Sequence, residues 1–306
     1  MSYASRNLCR RVVLLAMIVS GVTTTLADDQ WDADLATWIQ KRDQTLRDSN
    51  GWLAVSALHY LQDGEFSIGG GKDCDIHVPG QSVPQLIGRL TVSGSEAMLT
   101  CSEGVSIRCN EKPTTAARLT LASDAAEADG ADLITVGTAT IFLIRRAGLP
   151  ALRMKDSMNP LLRSFAGEQR FAPDRRFVTT AHFTPAAPDL FQTISNIRGD
   201  SLQVPVAGTL DFELKGKRCR LTATPESDGR LFIVFRDQTT GHETYSGGRF
   251  LLTTVPDEGK VVLDFNRAVN PPCAWNQWTT CPLPAAGNTL PVAVRAGALV
   301  PKKSVP

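Results

Sequence analysis

The sequence is poor in the residues on which many enzymes and nucleic-acid-binding proteins rely. It has only 4 histidines in 306 residues, and its 32 basic residues balance 31 acidic ones, so the net charge is +1. Scattered basic residues argue against a nucleic-acid-binding surface, and histidines this sparse argue against a zinc site. No glycine loop precedes a helix as in nucleotide-binding motifs. The sequence therefore predicts no nucleic-acid partner, no metal and no cofactor.

Long apolar runs are also missing, except for one near the N-terminus. Arg6, Arg10 and Arg11 precede the apolar run Val12–Val22, and small residues lead to Asp28. This order is typical of a secretory signal peptide, and the run is short for a membrane span. We expect residues 1–27 to be cleaved after about Ala27, which leaves a periplasmic or secreted chain without a transmembrane segment. The alternative is an uncleaved anchor.

Six cysteines follow the predicted signal peptide. An even number in an oxidising compartment is typical of disulfide-bonded proteins. Seven residues separate Cys101 from Cys109, and seven separate Cys273 from Cys281. These two pairs are the predicted disulfides, although sequence alone does not fix the connectivity.

The order of patterns along the chain predicts a mainly β protein with an N-terminal helix. Apolar residues at helical spacing predict a helix over residues 28–50. Short alternating segments separated by glycine, asparagine and proline then predict a β-sandwich over 51–147. A proline-rich connector over 148–200 follows, and further strands, the last at 290–296, predict an antiparallel β-barrel-like domain over 201–301.

One segment of the first domain resembles a known sandwich. The stretch GEFSIGGGKDCDIHVPG at residues 64–80 and the strands at 133–144 resemble the forkhead-associated (FHA) fold. Phosphothreonine binding in that family needs an arginine where this chain has Gly70, and a histidine in the next loop, where residues 80–88 contain none. The resemblance implies the sandwich and argues against phosphopeptide binding, because the phosphate would have no charged donor.

Two loops of the second domain concentrate polar residues. They read FRDQTTGHETYSGGRF at 235–250 and VVLDFNRAVNPPCAWNQWTTCPLPAAGN at 261–288. Because polar side chains are packed densely there beside tryptophans and prolines, we expect both loops to meet in a pocket outside the FHA-like half. The predicted ligand-binding residues are Arg236, Asp237, Tyr245, Arg249, Asp264, Asn266, Asn270 and Asn288.

The two loops, together with Asn50-Gly51-Trp52-Leu53 and Phe165-Ala166-Gly167, resemble the bacterial and archaeal family DUF1684. The resemblance implies a sandwich followed by a β-rich domain that carries these loops, and it brings no established substrate. The chain departs from the family pattern at Gly287 and Ala298, where members usually carry glutamate. If either acid is catalytic in the family, this member is impaired.

Three functions remain open on the sequence, and it does not decide whether the protein is an enzyme. The leading hypothesis is an exported module that binds a small polar or anionic ligand between the loops, with Arg249 and Arg236 either clamping an anion or forming buried ion pairs. The second is a hydrolase that uses Asp264 as a base, or Cys273 with His242. The third is a scaffold whose loops are purely structural.

Overall fold

The computed structural model describes residues 13–122, 130–146 and 148–302, and the chain forms two compact units, residues 1–42 and 43–306. Helix α1 spans Val13–Arg47, so it ends close to the predicted stop and continues through the predicted cleavage point at Ala27. The arginines that open the predicted signal peptide lie outside the described residues. Among the residues described, no helix is both long and apolar enough to cross a membrane.

The first β region, residues 52–156, is a sandwich of two sheets. A six-stranded sheet has the order β1-β11-β10-β9-β6-β7, and a five-stranded sheet has the order β3-β2-β4-β5-β8. All pairings are antiparallel except that of β2 with β3. The strands are β1 Val55–Tyr60, β2 Gly64–Gly69, β3 Ile76–His77, β4 Gly88–Ser93, β5 Glu96–Cys101, β6 Ile107–Cys109, β7 Lys112–Thr114, β8 Ala116–Leu119, β9 Ile134–Val136, β10 Ala139–Arg146 and β11 Leu149–Asp156.

The sandwich core follows from the alternation of its strands. Leu90 and Val92 of β4 point inward and their neighbours point to solvent, as a period of two requires. They share one core with Ile141 and Leu143 of β10. The residues between these on β10, such as Phe142, are also buried, in a second cluster on the other face of the sheet that includes Trp278. The six-stranded sheet is therefore covered on both faces.

The second β region, residues 175–302, is built on a six-stranded antiparallel sheet with the order β18-β17-β16-β15-β12-β19. A separate hairpin pairs β13 with β14. The elements after β11 are α2 Pro160–Ser164, β12 Val178–Pro185, β13 Phe191–Ser195, β14 Ser201–Pro205, β15 Gly208–Leu214, β16 Lys217–Pro225, β17 Leu231–Phe235, β18 Arg249–Leu252 and β19 Lys260–Asp264.

The predicted fold class is confirmed: the chain is mainly β, with an N-terminal helix and several antiparallel sheets that include a half-barrel. β15 and β16 form an antiparallel hairpin. Lys215 and Gly216 both have positive φ there, at 50° and 70°. That is the geometry of a tight two-residue hairpin turn, for which glycine is favoured.

Two parts of the sequence interpretation differ from the structure. The predicted connector over 148–200 begins with β11, which pairs inside the first sheet, so the stretch between the sheets is shorter; the strand that the sequence indicates at 176–183 within the connector corresponds to β12 of the second sheet. The predicted strand at 290–296 is wrong, because it is an irregular segment. Its backbone groups at Val294 and Ala296 instead bond to the buried side chains of Asp237 and Arg249.

Candidate functional site

The two predicted loops contact each other through Tyr245. Its hydroxyl donates a hydrogen bond to the carbonyl of Cys273, with an oxygen–oxygen distance of 3.2 Å. Burial, and then the neighbouring Cys273, raise the pKa of Tyr245. A Cβ added to Gly247 would lie 2.5 Å from the tyrosine ring, so glycine is needed for this close approach. The contact joins the loops and occupies the hydroxyl of Tyr245, which is therefore not free to donate to a ligand.

Arg249 and Asp237 form a buried ion pair rather than an anion clamp. Both side chains are 1% exposed, and Arg249 Nη2 lies 2.8 Å from Asp237 Oδ2. Arg249 also donates to the carbonyls of Val294, at 2.9 Å, and Ala296. The other carboxylate oxygen accepts from the backbone and hydroxyl of Thr239. Burial lowers the pKa of Arg249, and Asp237 opposes that shift. The pair is closed to a ligand.

The three predicted asparagines are buried and hold backbone segments together. Asn288 accepts from the Thr222 amide at 2.8 Å and donates to the carbonyls of Thr222 and Val234, both at 2.9 Å. Asn266 donates to the Asp174 carbonyl at 3.0 Å. Asn270 donates to the Leu299 carbonyl at 2.7 Å. Each links distant parts of the chain, which is what buried amides do when no water reaches them.

Asp264 and Arg236 also have roles in the fold. Asp264 accepts from the Asn266 amide at 3.0 Å and from Arg267 Nε at 3.3 Å. Its side chain is 11% exposed, so its oxygens are committed and it is a poor general base. The backbone of Arg236 pairs with Asn288 and Leu290. We call the group Arg236, Asp237, Tyr245, Arg249, Asp264, Asn266, Asn270 and Asn288 the polar network.

The predicted disulfides are wrong in this structure, because all six described cysteines are free. Cys101 and Cys109 lie on β5 and β6, which belong to different sheets. Cys273 and Cys281 are neighbours: the Cys273 amide donates to Cys281 Sγ at 3.2 Å. Hydrogen bonding with Cys281, and to a lesser degree with Tyr245, lowers the pKa of the Cys273 thiol. The hydrogen bond between the two cysteines, together with burial, raises the pKa of the Cys281 thiol.

The thiol mechanism lacks its base. His242 is exposed on its turn, and no hydrogen bond or ion pair joins it to Cys273 in the described part of the chain. A thiol nucleophile needs a base within hydrogen-bond reach. Nor do three or more His, Cys, Asp or Glu side chains gather into a group that could hold a metal ion, within the ranges that the structure covers.

A cavity of about 460 Å³ lies elsewhere, where the second loop meets the first β region. We call it the tryptophan cleft, and no residue of the polar network lines it. Ligand pockets commonly have volumes of about 300–1,000 Å³. The lining residues are Val55, Ser56, Pro79, Asp156, Asn159, Pro160, Leu161, Trp275, Asn276, Gln277 and Trp278.

Two asparagines fix the walls of the tryptophan cleft. Asn276 donates to the Trp52 carbonyl at 3.1 Å and accepts from the Trp278 amide at 2.9 Å. Asn159 caps α2 by accepting from the Leu161 amide at 3.0 Å, and donates to the Val55 carbonyl at 3.2 Å. These bonds anchor the tryptophan loop and α2 to the start of β1, so the walls are formed in advance of any ligand.

Two other residues of the lining carry polar side-chain atoms that make no such bond. Ser56 Oγ and Trp275 Nε1 are buried and have no hydrogen-bond partner among the residues described. Ser56 lies where the register of β1 against β11 shifts, between Val55 and Ala57. Such β-bulges re-aim side chains and are frequent beside functional sites. Buried polar groups are normally paired, so two unpaired atoms on residues that line one cavity require an explanation.

Asp156 is the one charged side chain of the lining. Its Oδ1 accepts from Thr138 Oγ1 at 2.6 Å and from the Met158 amide at 2.9 Å, and Oδ2 makes neither bond. Lys155 and Arg153, its neighbours on β11, do not line the cleft. Burial lowers the pKa of Lys155 to about 8 and that of Arg153 to about 10. Among the described residues, the cleft thus offers an anion no cationic partner.

The second predicted loop forms one wall of the cleft, but none of the predicted ligand-binding residues lines it. Trp275 and Trp278 lie in the second loop, and the density of tryptophan and proline there was the available signal. Ser56 and Asp156 come from the first β region. No motif marks them, because the bulge that places Ser56 depends on strand register.

Comparisons with known proteins agree with the family resemblance. Residues 163–298 match the family model described as a protein of unknown function, DUF1684. An uncharacterized protein of Haloarcula marismortui, solved by solution NMR, is 32% identical over 46% of this chain and 80% of that one, with a TM-score of 0.39. None of the curated proteins compared with the chain matches it.

The first β region has a weaker likeness. The FhaA FHA domain, crystallised with the intracellular domain of Rv3910, is 19% identical over 31% of this chain and 96% of that one, with a TM-score of 0.22. The family match, in contrast, contains both polar loops and the tryptophans of the cleft. Over residues 163–298 the chain is thus similar to the DUF1684 family, whose function is unknown.

Proposed function

We propose that the protein is a binding module that holds a small, polar, uncharged ligand in the tryptophan cleft. The observation that carries the proposal is the pair of buried, unpartnered polar atoms, Ser56 Oγ and Trp275 Nε1, on residues that line one cavity. A ligand that supplies their missing hydrogen bonds gains affinity from groups that otherwise cost stability. The site thus differs from the predicted pocket in both residues and place.

The lining supports binding rather than catalysis. A serine nucleophile needs a base hydrogen-bonded to its hydroxyl, and Ser56 Oγ has no such partner among the described residues. Asp264, and Cys273 with His242, lie outside the lining. The predicted anionic ligand is also disfavoured, since Asp156 would repel it and no cation of the lining would attract it.

Two further predictions from the sequence are part of this proposal. The N-terminal pattern supports export to the periplasm or beyond, which fractionation of cells and N-terminal sequencing of the purified protein test. The two-sheet sandwich supports an FHA-like first region, and Gly70 in place of arginine supports a region that does not read phosphopeptides.

Thermal unfolding in the presence of three probe classes tests the binding proposal. The probes are neutral sugars, zwitterionic amino acids and inorganic phosphate. A probe at 100 times its Kd adds about 2.7 kcal/mol to the free energy of unfolding, which raises Tm by about 5–10 °C in a domain of this size. Gln277 is exposed at the cleft, so Gln277→Arg fills the cleft without disturbing a core.

We expect a neutral or zwitterionic probe to raise Tm in the wild type and in the matched control Gln169→Arg, which changes an exposed glutamine outside the lining. The same probe should leave Gln277→Arg unchanged. Stabilisation by phosphate alone, by no probe at all, or to an equal degree in Gln277→Arg would reject the proposal.

A further inference from the structure

We infer that the ligand of the tryptophan cleft is a saccharide, a ring that carries several hydroxyl groups and one apolar face. The inference rests on the proposed binding function and narrows it to a chemical class. Its first basis is the apolar part of the lining, in which two indoles lie beside Pro79, Pro160 and Leu161. Tryptophan combines a large flat apolar surface with a hydrogen-bond donor, which suits a sugar ring.

The second basis is the hydrogen-bonding complement that the cleft requires. Trp275 Nε1 is a donor only and needs an acceptor, whereas Asp156 Oδ2 is an acceptor and needs a donor. Ser56 Oγ can take either role. A ligand must therefore offer donors and acceptors close together on a small frame, as neighbouring hydroxyl groups do.

Other classes of small ligand fail part of that requirement. Phosphate offers mainly acceptors and brings negative charge toward Asp156, with no lysine or arginine among the described lining residues. A quaternary ammonium ion has no acceptor for the Trp275 N–H. An amino acid has both donors and acceptors, but its carboxylate finds no cation in the lining. Neutral polyhydroxylated rings satisfy all three groups without a net charge.

The walls are also organised before binding. The bulge at Ser56 is fixed by the pairing of β1 with β11, and Asn276 fixes the tryptophan loop to the Trp52 carbonyl at 3.1 Å. A largely preformed site loses little conformational entropy on binding, and only the side chains of Ser56 and Trp275, whose polar atoms are buried, must rotate to meet the ligand. This matters for saccharides, whose hydroxyl groups must leave water to bind.

Titration with neutral mono- and oligosaccharides, followed by tryptophan fluorescence and calorimetry, tests the class. Three variants each remove one required group. Ser56→Ala deletes the unpaired hydroxyl, Trp275→Phe keeps an aromatic ring but deletes the N–H, and Asp156→Asn replaces an acceptor oxygen by a donor. Each should weaken binding of the saccharide about tenfold, as expected for one lost hydrogen bond.

Trp31→Phe, which changes a tryptophan outside the lining, is the matched control and should bind like the wild type. Melting temperatures of all variants show whether a loss of binding reflects a loss of fold. An amino acid that binds while every saccharide fails overturns the class and leaves the proposed binding module, whereas binding of phosphate alone overturns both. A saccharide that binds Ser56→Ala, Trp275→Phe and Asp156→Asn as tightly as the wild type overturns the inferred site, and binding of no probe overturns the proposed function itself.

Discussion

The polar network and the tryptophan cleft are two groups of polar residues that the same loops help to build, and they are satisfied to different degrees. In the network, Arg249 bonds to Asp237 and to backbone carbonyls, and Asn288 makes three backbone hydrogen bonds. In the cleft, Ser56 Oγ and Trp275 Nε1 have no partner among the described residues. Most polar atoms of the network hold the chain, and Arg249 Nε is an exception without a partner among the described residues, whereas two residues that line the cleft each carry such an unpaired atom.

The difference shows why a high density of polar residues alone does not identify a binding site. Irregular segments without a sheet ladder must satisfy their backbone groups in another way. The segment after Asn288 does so through Arg249 and Asp237, which bond to Val294 and Ala296. A loop rich in asparagine, aspartate and arginine is thus what irregular structure requires. Unsatisfied groups that line a cavity are the more specific sign of a ligand.

The largest expected effect is a loss of stability when the polar network is broken, which distinguishes the network from the cleft. Arg249→Met leaves the buried Asp237 carboxylate without its cation, and breaking a buried pair on one side costs about 3–5 kcal/mol. We expect the free energy of unfolding, measured with urea and circular dichroism, to fall by that amount. Arg295→Ala is the matched control: Arg295 pairs with Glu243 at the surface, where its side chain is 57% exposed, so a change below about 1 kcal/mol is expected. Equal losses of unfolding free energy in the two variants would mean that the buried ion pair contributes no more to stability than the surface pair.

A smaller loss is expected at Asn288. Asn288→Ala removes the three hydrogen bonds that join it to Thr222 and Val234, and leaves buried backbone groups unpaired, at a cost of about 2–3 kcal/mol. Asn288→Asp keeps the acceptor for the Thr222 amide and loses both donors. The same urea titration measures both variants. Wild-type stability in Asn288→Ala would mean that Asn288 is available to a ligand after all.

For residues of the cleft we expect no such loss of stability. Ser56→Ala and Trp275→Phe delete polar atoms that make no hydrogen bond within the described chain. Both variants should therefore lose no more than about 0.5 kcal/mol of the free energy of unfolding, since no protein hydrogen bond is lost and the removal of an unsatisfied buried group is itself stabilising. A loss above about 2 kcal/mol in either variant would show that its polar atom stabilises the fold and is not reserved for a ligand.

The smallest effect concerns the two cysteines that bracket the tryptophan loop. Cys273 and Cys281 are free thiols in the structure, whereas a disulfide closing so short a loop would add about 2–3 kcal/mol. Adding dithiothreitol should therefore change Tm by less than about 1 °C. A fall of several degrees in Tm, together with two fewer titratable thiols in the protein before reduction, would show that the predicted Cys273–Cys281 bond forms and stiffens this wall of the cleft.

Much of the fold could be predicted from local pattern. Alternation such as that of β4 identifies a strand without tertiary information, and the Lys215–Gly216 turn is marked by its own residue types. The strand predicted at 290–296 failed because an apolar segment with suitable alternation can be buried by side-chain hydrogen bonds instead of a sheet. β11 was missed because Arg153, Lys155 and Asp156 are all buried there, against the usual preference of charged residues.

The candidate site was harder to predict because it is assembled from distant segments. Trp275 could be recognised as part of an unusual loop, but Ser56 gains its role only from a register shift between β1 and β11. Asp156 is one of 31 acidic residues, and only the structure shows which of its oxygens is engaged. Cavities formed across sequence-distant elements leave no periodic signal in either element.

Chemical-shift mapping of the five tryptophan indole N–H groups tests the location of the site most directly. With the polar probe that raises Tm the most, the indole signals of Trp275 and Trp278 should shift, while those of Trp31 and Trp38 and the backbone amides of Asp237 and Arg249 stay in place. Shifts confined to Asp237 and Arg249, with Trp275 and Trp278 unchanged, would contradict the assignment of the ligand to the cleft and return it to the network.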